Sequence, residues 1–184
     1  LRENDHKIKL FDCVTEEIGL EEIVGIAKRF GPDLAVLNTA TPSISSDIGL
    51  ASSLKRALPD VKTLAFGIHV SALPERCLMD ERLLDIAVVG EPEITILNVA
   101  NALEKSGGKR ESLFEVAGIV FRYGHELKKT RPAMMLEDMD SLPFPAWDQI
   151  NLKNHLMPFK GRPFLLVSTS RGCPFMCNYC AAST

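Results

Sequence analysis

The residues best suited to chemistry stand near the end of the chain. Cys173, Cys177 and Cys180 lie in the run Cys173-Pro174-Phe175-Met176-Cys177-Asn178-Tyr179-Cys180, a C-x3-C-x2-C spacing. Of the five cysteines only Cys13 and Cys77 lie elsewhere, each isolated, and they read as small buried hydrophobes. An odd count clustered this tightly argues against a disulfide framework and for metal chemistry in a reducing cytoplasm. A zinc ribbon uses paired C-x2-C knuckles and a fourth ligand. Here one C-x2-C pair occurs, with the distant His155 as the candidate fourth ligand. Iron–sulfur clusters are held by cysteine thiolates, usually four. Three thiolates on a four-iron cube leave one iron without a protein ligand, open to a substrate or cosubstrate. Such a site is anionic, and its surroundings suit it. Residues 149–184 contain no Asp or Glu but carry Lys153, Lys160, Arg162 and Arg171, a +4 tail behind 148 residues that carry −7. Backbone N–H groups of Ser168 to Gly172 are available to hydrogen-bond the sulfurs.

The elements that position this loop follow from periodicity. Lys7 to Asp12 reads as a strand, and Leu20, Ile23, Val24 and Ala27 follow helical spacing up to Gly31-Pro32. Leu34 to Leu37 is an apolar strand, Thr39 to Ser46 a hydroxyl-rich loop, and Leu50 to Leu58 a helix. Thr63 to Phe66 is a strand closed by Gly67, followed by a loop from His69 and a short helix over Pro74 to Met79. Ile86 to Val89 is a strand closed by Gly90. Glu91-Pro92-Glu93 opens a helix, with Pro in the first turn and carboxylates at the positive end of the dipole. Ile119 to Arg122 and Glu126 to Lys129 form a hairpin, Leu142 to Asp148 is a Pro-punctuated linker with aromatic anchors Phe144 and Trp147, and Phe164 to Val167 is a new strand. Alternating strands and helices, with continuously apolar strands, predict an α/β fold: a Rossmann-like, flavodoxin-like doubly wound parallel sheet. Ligands of such sheets bind beyond the carboxyl ends of the strands.

Composition narrows the function classes. The chain has 184 residues, 46% hydrophobic and 24% charged, with a net charge of −3. That charge is wrong for a general nucleic-acid binder, no run approaches a membrane span, and the polar start is no signal peptide. Neither G-x-G-x-x-G nor a phosphate-binding G-x-x-x-x-G-K-[ST] occurs. The first residue is not Met, and a domain opening with a strand and a metal loop does not close within four residues of Cys180. The sequence therefore reads as truncated at both ends.

The run Thr169-Ser170-Arg171-Gly172-Cys173-Pro174-Phe175, with C-x3-C-x2-C and an aromatic residue before the last Cys, resembles the radical S-adenosylmethionine (SAM) superfamily. The resemblance implies that Cys173, Cys177 and Cys180 hold a 4Fe–4S cluster, that Tyr179 lies against the adenine of SAM, and that the strand over Phe164 to Val167 opens a truncated (β/α) barrel. It also implies a small-molecule substrate and a one-electron reductant such as flavodoxin or ferredoxin. The front of the chain resembles the cobalamin-binding domain that precedes the SAM domain in one subgroup, which includes the anaerobic magnesium-protoporphyrin ester cyclase. Gly31-Pro32-Asp33, His69 to Glu75, Asp85 to Glu93 and Leu142 to Asp148 carry that likeness. It implies cobalamin as a further cofactor, with Thr39, Ser43, Gly67, His69, Gly90 and Glu91 as candidate contacts. The Asp-x-His-x-x-G loop of cobalt-ligating domains would precede Leu1, and the subgroup's Gly-Gly after its fourth strand reads Gly67-Ile68 here, where Ile68 would crowd a buried nucleotide tail. The expected organisation is a cobalamin-type domain over 1–130, a linker over 131–160 and the start of a SAM domain over 161–184. Two other readings stay open: a corrinoid- or partner-binding module whose cysteines hold a structural zinc or cluster, and a redox-sensing or electron-transfer protein.

Overall fold

A computed structural model describes residues 1–157, 159–168, 170–172, 175, 177 and 178. The chain divides into two compact units. The first comprises Leu1–Ile8 and Ile18–Leu136, the second Lys9–Glu17 and Glu137–Thr184.

The first unit is built on one five-stranded sheet. Strands β1 (Leu34–Asn38), β2 (Lys62–Phe66) and β3 (Ile86–Val88) pair in parallel, with Val36 opposite Leu64 and Leu64 opposite Ile86. Strands β4 (Ile119–Tyr123) and β5 (Glu126–Lys129) extend the same sheet as an antiparallel hairpin, β4 lying beside β3. The sheet is therefore mixed: parallel in its first three strands, and antiparallel both between β3 and β4, which are joined through a helix, and between β4 and β5, which are joined by a tight turn at Gly124.

Both faces are covered, which explains the continuously apolar strands. Helices α1 (Leu20–Phe30), α2 (Ile44–Ala57), α3 (Ile68–Ala72) and α4 (Pro74–Asp80) pack on one face around Ala51, Leu54, Ala65, Val70, Leu78, Ala87 and Val120. Helix α5 (Pro92–Ser106) covers the other with Ile96, Val99 and Leu103, joined by Leu113 of the 3-10 turn Arg110–Glu115, over Leu64, Ile86, Val88 and Phe121. Neighbours along one strand, such as Leu64 and Ala65, thus serve opposite cores. Helix α5 starts at Pro92 and ends at Gly107, whose left-handed φ of 65° turns its N–H back to Glu104 O.

At the amino-terminal edge of the sheet Asp85 is buried with two cations. Its carboxylate takes Lys55 Nζ at 2.6 Å, the Arg110 guanidinium, and the Thr63 N–H at 2.9 Å. Burial alone pushes this carboxyl up, but the Lys55 and Thr63 hydrogen bonds and the Arg110 charge outweigh it and hold it below the usual carboxylate range.

Three sequence expectations are corrected. Residues 7–12 enter no strand ladder among the described residues, because a strand needs a hydrogen-bonded neighbour and this run divides between the two units. The stretch after Gly67 is a helix, α3, rather than a loop: the positive φ of Gly67 redirects the chain and the Ser71 N–H closes a turn on Gly67 O at 2.9 Å. Phe164 to Val167 is not a strand. Its only ladder-like bond among the described residues runs from the Phe164 N–H to His155 O, beside the isolated bridge between Leu156 and Pro163, and Leu165, Leu166 and Val167 are exposed.

In the second unit, local turns combine with contacts between residues 12–15 and residues 154–155. The Asp12 carboxylate accepts the N–H groups of Val14 and Thr15, Asn154 Nδ2 donates to Thr15 O, and His155 Nε2 lies 3.7 Å from Asp12 Oδ2. Phe144, expected to anchor the linker, is fully solvent-facing. No helix among the described residues is long and apolar enough to cross a membrane.

Candidate functional site

The carboxyl ends of β1, β2 and β3 lie side by side because the three strands are parallel and in register. Each ends in a residue chosen by backbone geometry. After β1, Thr39 is buried, and both its N–H (3.0 Å) and its hydroxyl (2.9 Å) donate to Phe66 O at the end of β2. After β2, Gly67 takes φ 137°, and a Cβ there would meet Thr39 O at 2.4 Å. Only glycine fits beneath Thr39. After β3, Gly90 takes φ 88°, its N–H donates to Ser71 Oγ at 3.1 Å, and a Cβ there would meet nothing within 4 Å. Thr39, Gly67, Ser71 and Gly90 thus form one connected row along the carboxyl edge. The backbone at Gly90 is open to close approach by a ligand.

The other sequence candidates distribute around this row. Ser43 ends the 3-10 turn Thr41–Ser43, and its hydroxyl donates to Asp47 Oδ2 at 2.7 Å, while the Ala40 N–H donates to the same oxygen at 3.0 Å. The hydroxyl hydrogens of Thr39 and Ser43 are therefore engaged within the fold, which leaves their oxygens as acceptors. His69 is half-buried on α3, one residue beyond Ile68, whose side chain is 77% exposed. Glu91 follows Gly90 directly and is engaged by the chain after the hairpin. Its Oε2 accepts the Leu136 N–H at 2.9 Å.

Reading the sequence missed two members of this site. Ser71 ties α3 to the β3–α5 turn, and Asp47 orders the loop after β1. Asp47 was legible as the i+4 partner of Ser43 across one helical turn. Ser71 had only its place four residues after Gly67 to mark it, and its partner is 19 residues away.

The cysteine loop is described in part. Cys173, Cys180 and Tyr179 lie outside the described residues, whereas Cys177 is half-buried with a free thiol. Cys13 and Cys77 are also free, and burial, the largest cause, together with nearby Asp12 and Asp80 respectively, pushes both thiols up. Protonated thiols of this kind are poor metal ligands.

A model of the B12 binding domain matches residues 1–100, the stretch that contains the whole row. An uncharacterized methyltransferase of Pyrococcus horikoshii is 27% identical over 97% of the chain and 38% of its own length. An anaerobic magnesium-protoporphyrin IX monomethyl ester cyclase of Cereibacter sphaeroides is 28% identical over 92% of the chain and 28% of its own length. A hopanoid C-3 methylase of Methylococcus capsulatus is 26% identical over 100% of the chain and 34% of its own length. The chain spans about a third of the length of these relatives.

Proposed function

Since this chain belongs to the B12-binding domain family, we propose that it is the cofactor-loading portion of a radical SAM enzyme of the methyltransferase or cyclase kind. In this reading residues 1–130 hold cobalamin along the carboxyl edge of the sheet, 131–160 lead on, and 161–184 begin the SAM domain. The observation that carries the cobalamin half is the connected row Thr39–Gly67–Ser71–Gly90, which lies within the family match and ends in open glycine backbone.

The residues present fit such a ligand. Cobalamin carries amide arms and a nucleotide tail, and the edge offers hydroxyl oxygens at Thr39 and Ser43, bare backbone at Gly90 and the His69 ring on α3. Ile68 is exposed and does not pack into the core behind the row. Bound there, cobalamin supplies a carrier for one-carbon transfer. The thiolates of Cys173, Cys177 and Cys180 would hold the 4Fe–4S cluster, and Tyr179 would lie against the adenine. When loaded, the cluster supplies the electron that cleaves SAM to methionine and a 5′-deoxyadenosyl radical. The acid-free segment from Gln149 onward lowers the cost of the anionic cluster. The substrate is a small molecule, and the electron comes from a flavodoxin- or ferredoxin-like donor in the cytoplasm.

Two measurements test the two halves separately. Anaerobic reconstitution should give about four irons with acid-labile sulfide per chain, and a variant with Cys173, Cys177 and Cys180 all changed to Ala should lose them. Iron retained by that variant, or one zinc without sulfide in the native chain, removes the radical SAM assignment. Titration with cobalamin should perturb its visible spectrum; an unchanged spectrum removes the cobalamin assignment alone.

A further inference from the structure

The turn that follows β3 is held from three sides. The Val89 N–H donates to Gly118 O at 2.8 Å, the Gly90 N–H donates to Ser71 Oγ at 3.1 Å, and Glu91 Oε2 accepts the Leu136 N–H at 2.9 Å. The first two partners lie just before β4 and on α3. The third comes from beyond the β4–β5 hairpin, where residues 130–136 return past Gly118, whose N–H donates to Arg131 O at 2.8 Å. The approach is close: a Cβ on Gly118 would fall 2.7 Å from that of Ala133 and 3.3 Å from Val89 O. Residues 89–91 and 130–136 are thus joined at two points, through buried Gly118 and through Glu91. Leu136 is the last residue of the first unit, and Glu137 begins a segment of the second.

Gly90 depends on this support. Glycine populates both signs of φ freely, and Gly90 stands exposed at φ 88° with nothing within 4 Å of a Cβ position. Its neighbours therefore set its conformation: Ser71 through the Gly90 N–H, and Glu91 through the next peptide. Glu91 is the N-cap residue of α5, at φ −70° and ψ 127°, yet its side chain makes no capping bond to that helix. It reaches instead a main-chain N–H 45 residues on. A carboxylate-to-N–H bond is roughly twice as strong as a neutral one, which suits it to fix a residue that has no side chain to pack.

We propose that Glu91 is a positioning residue for the cobalamin edge. By holding Leu136 it keeps the Gly90 backbone in the conformation that the ligand covers, and it makes the order of residues 130–136 depend on whether the edge is occupied. The inference rests on the cobalamin reading above and adds this coupling to it. Coupling between a ligand and a bond is reciprocal. A ligand that favours the fixed turn suppresses opening of the Glu91–Leu136 bond, and loss of that bond weakens the ligand by the same factor. A direct contact between Glu91 and the ligand predicts otherwise, because deleting the Leu136 N–H would then cost the ligand nothing.

The probe is hydroxocobalamin, titrated into the 184-residue chain, with its visible spectrum as the binding signal and amide hydrogen exchange as the second readout. In the native chain, saturation should slow exchange at the Leu136 amide at least about fivefold, while the Gly107 amide, bonded to Glu104 O at the far end of α5, keeps its rate. Glu91→Ala and Leu136→Pro, which remove the acceptor and the donor respectively, should each weaken hydroxocobalamin at least about fivefold. Glu91→Gln keeps an acceptor oxygen and should stay within about twofold of native affinity. Leu136 exchange that ignores the ligand, native affinity in Leu136→Pro, or Glu91→Gln as weak as Glu91→Ala overturns the inference and leaves the cobalamin reading standing. An unchanged spectrum in the native chain overturns both. Where a variant fails to fold, the exchange rates of the native chain decide.

Discussion

Replacing Asp85 by Ala should be among the most damaging single changes on this chain outside the apolar core. The Asp85 side chain is 6% exposed and that of Lys55 only 11%, so neither charge is solvated if the other is removed. The substitution deletes the acceptor of Lys55 Nζ, of the Arg110 guanidinium and of the Thr63 N–H. Breaking a buried pair by removing one partner costs ~3–5 kcal/mol, because the surviving charge stays buried. Arg110 is 31% exposed and regains water, so its loss adds little. About 4 kcal/mol is therefore expected, a large share of the ~5–15 kcal/mol typical of a domain. Urea unfolding followed by far-UV circular dichroism measures it, with the m-value checking that the transition stays two-state. The pH dependence gives a second reading. The Asp85 carboxyl is held below its ordinary value in the folded state, so its contribution is complete above the unfolded value near 3.8 and is lost as pH falls through the folded value. The native chain should lose stability on acidification below about pH 4, and Asp85→Asn should flatten that part of the curve. A loss under ~1 kcal/mol in Asp85→Ala, or parallel acid limbs for the native chain and Asp85→Asn, would refute the argument that this cluster is a desolvated ion pair.

Three further outcomes follow from glycines at the carboxyl edge and beside residues 130–136. Gly67→Ala forces a Cβ to 2.4 Å from Thr39 O at φ 137° and should cost about 3 kcal/mol in chemical unfolding, with cobalamin affinity falling in the same variant. Gly90→Ala meets nothing within 4 Å at φ 88°; it should cost only about 1 kcal/mol of stability yet weaken cobalamin in a spectral titration, because its methyl group occupies the open backbone. Gly118→Ala drives a Cβ to 2.7 Å from that of Ala133, and faster hydrogen exchange at the Gly118 amide, bonded to Arg131 O, and at the Leu136 amide, bonded to Glu91, should report residues 130–136 lifting.

What was legible in the sequence was whatever local periodicity dictates. Helices α1, α2 and α5, strands β1 to β3 and the β4–β5 hairpin follow from apolar spacing, Pro92 at a first turn and Gly31 and Gly107 as stops. Strand status that depends on a neighbour was not legible. Residues 7–12 and 164–167 have strand-like composition, but pairing is a property of two segments. The same limit hid the Asp85 cluster, whose partners Lys55, Thr63 and Arg110 lie 22 or more residues away. It also hid the bond from the Leu136 N–H to the Glu91 carboxylate, 45 residues apart. The glycines were legible as punctuation, but the sequence could not say that Gly67 makes room for Thr39 whereas Gly90 leaves its surroundings empty.

Leu1–Ile8 and Ile18–Leu136 form one unit while Lys9–Glu17 joins the other, so the backbone passes between units at three places: after Ile8, after Glu17 and after Leu136. A protease that nicks the chain between Leu136 and Glu137 therefore does not liberate an intact N-terminal body. The downstream fragment still grips Lys9–Glu17 through contacts such as Asn154 to Thr15, and the two pieces should co-elute until a denaturant parts them. Two modules threaded in this way share a fate on unfolding that neither a single hinge nor a single cut separates.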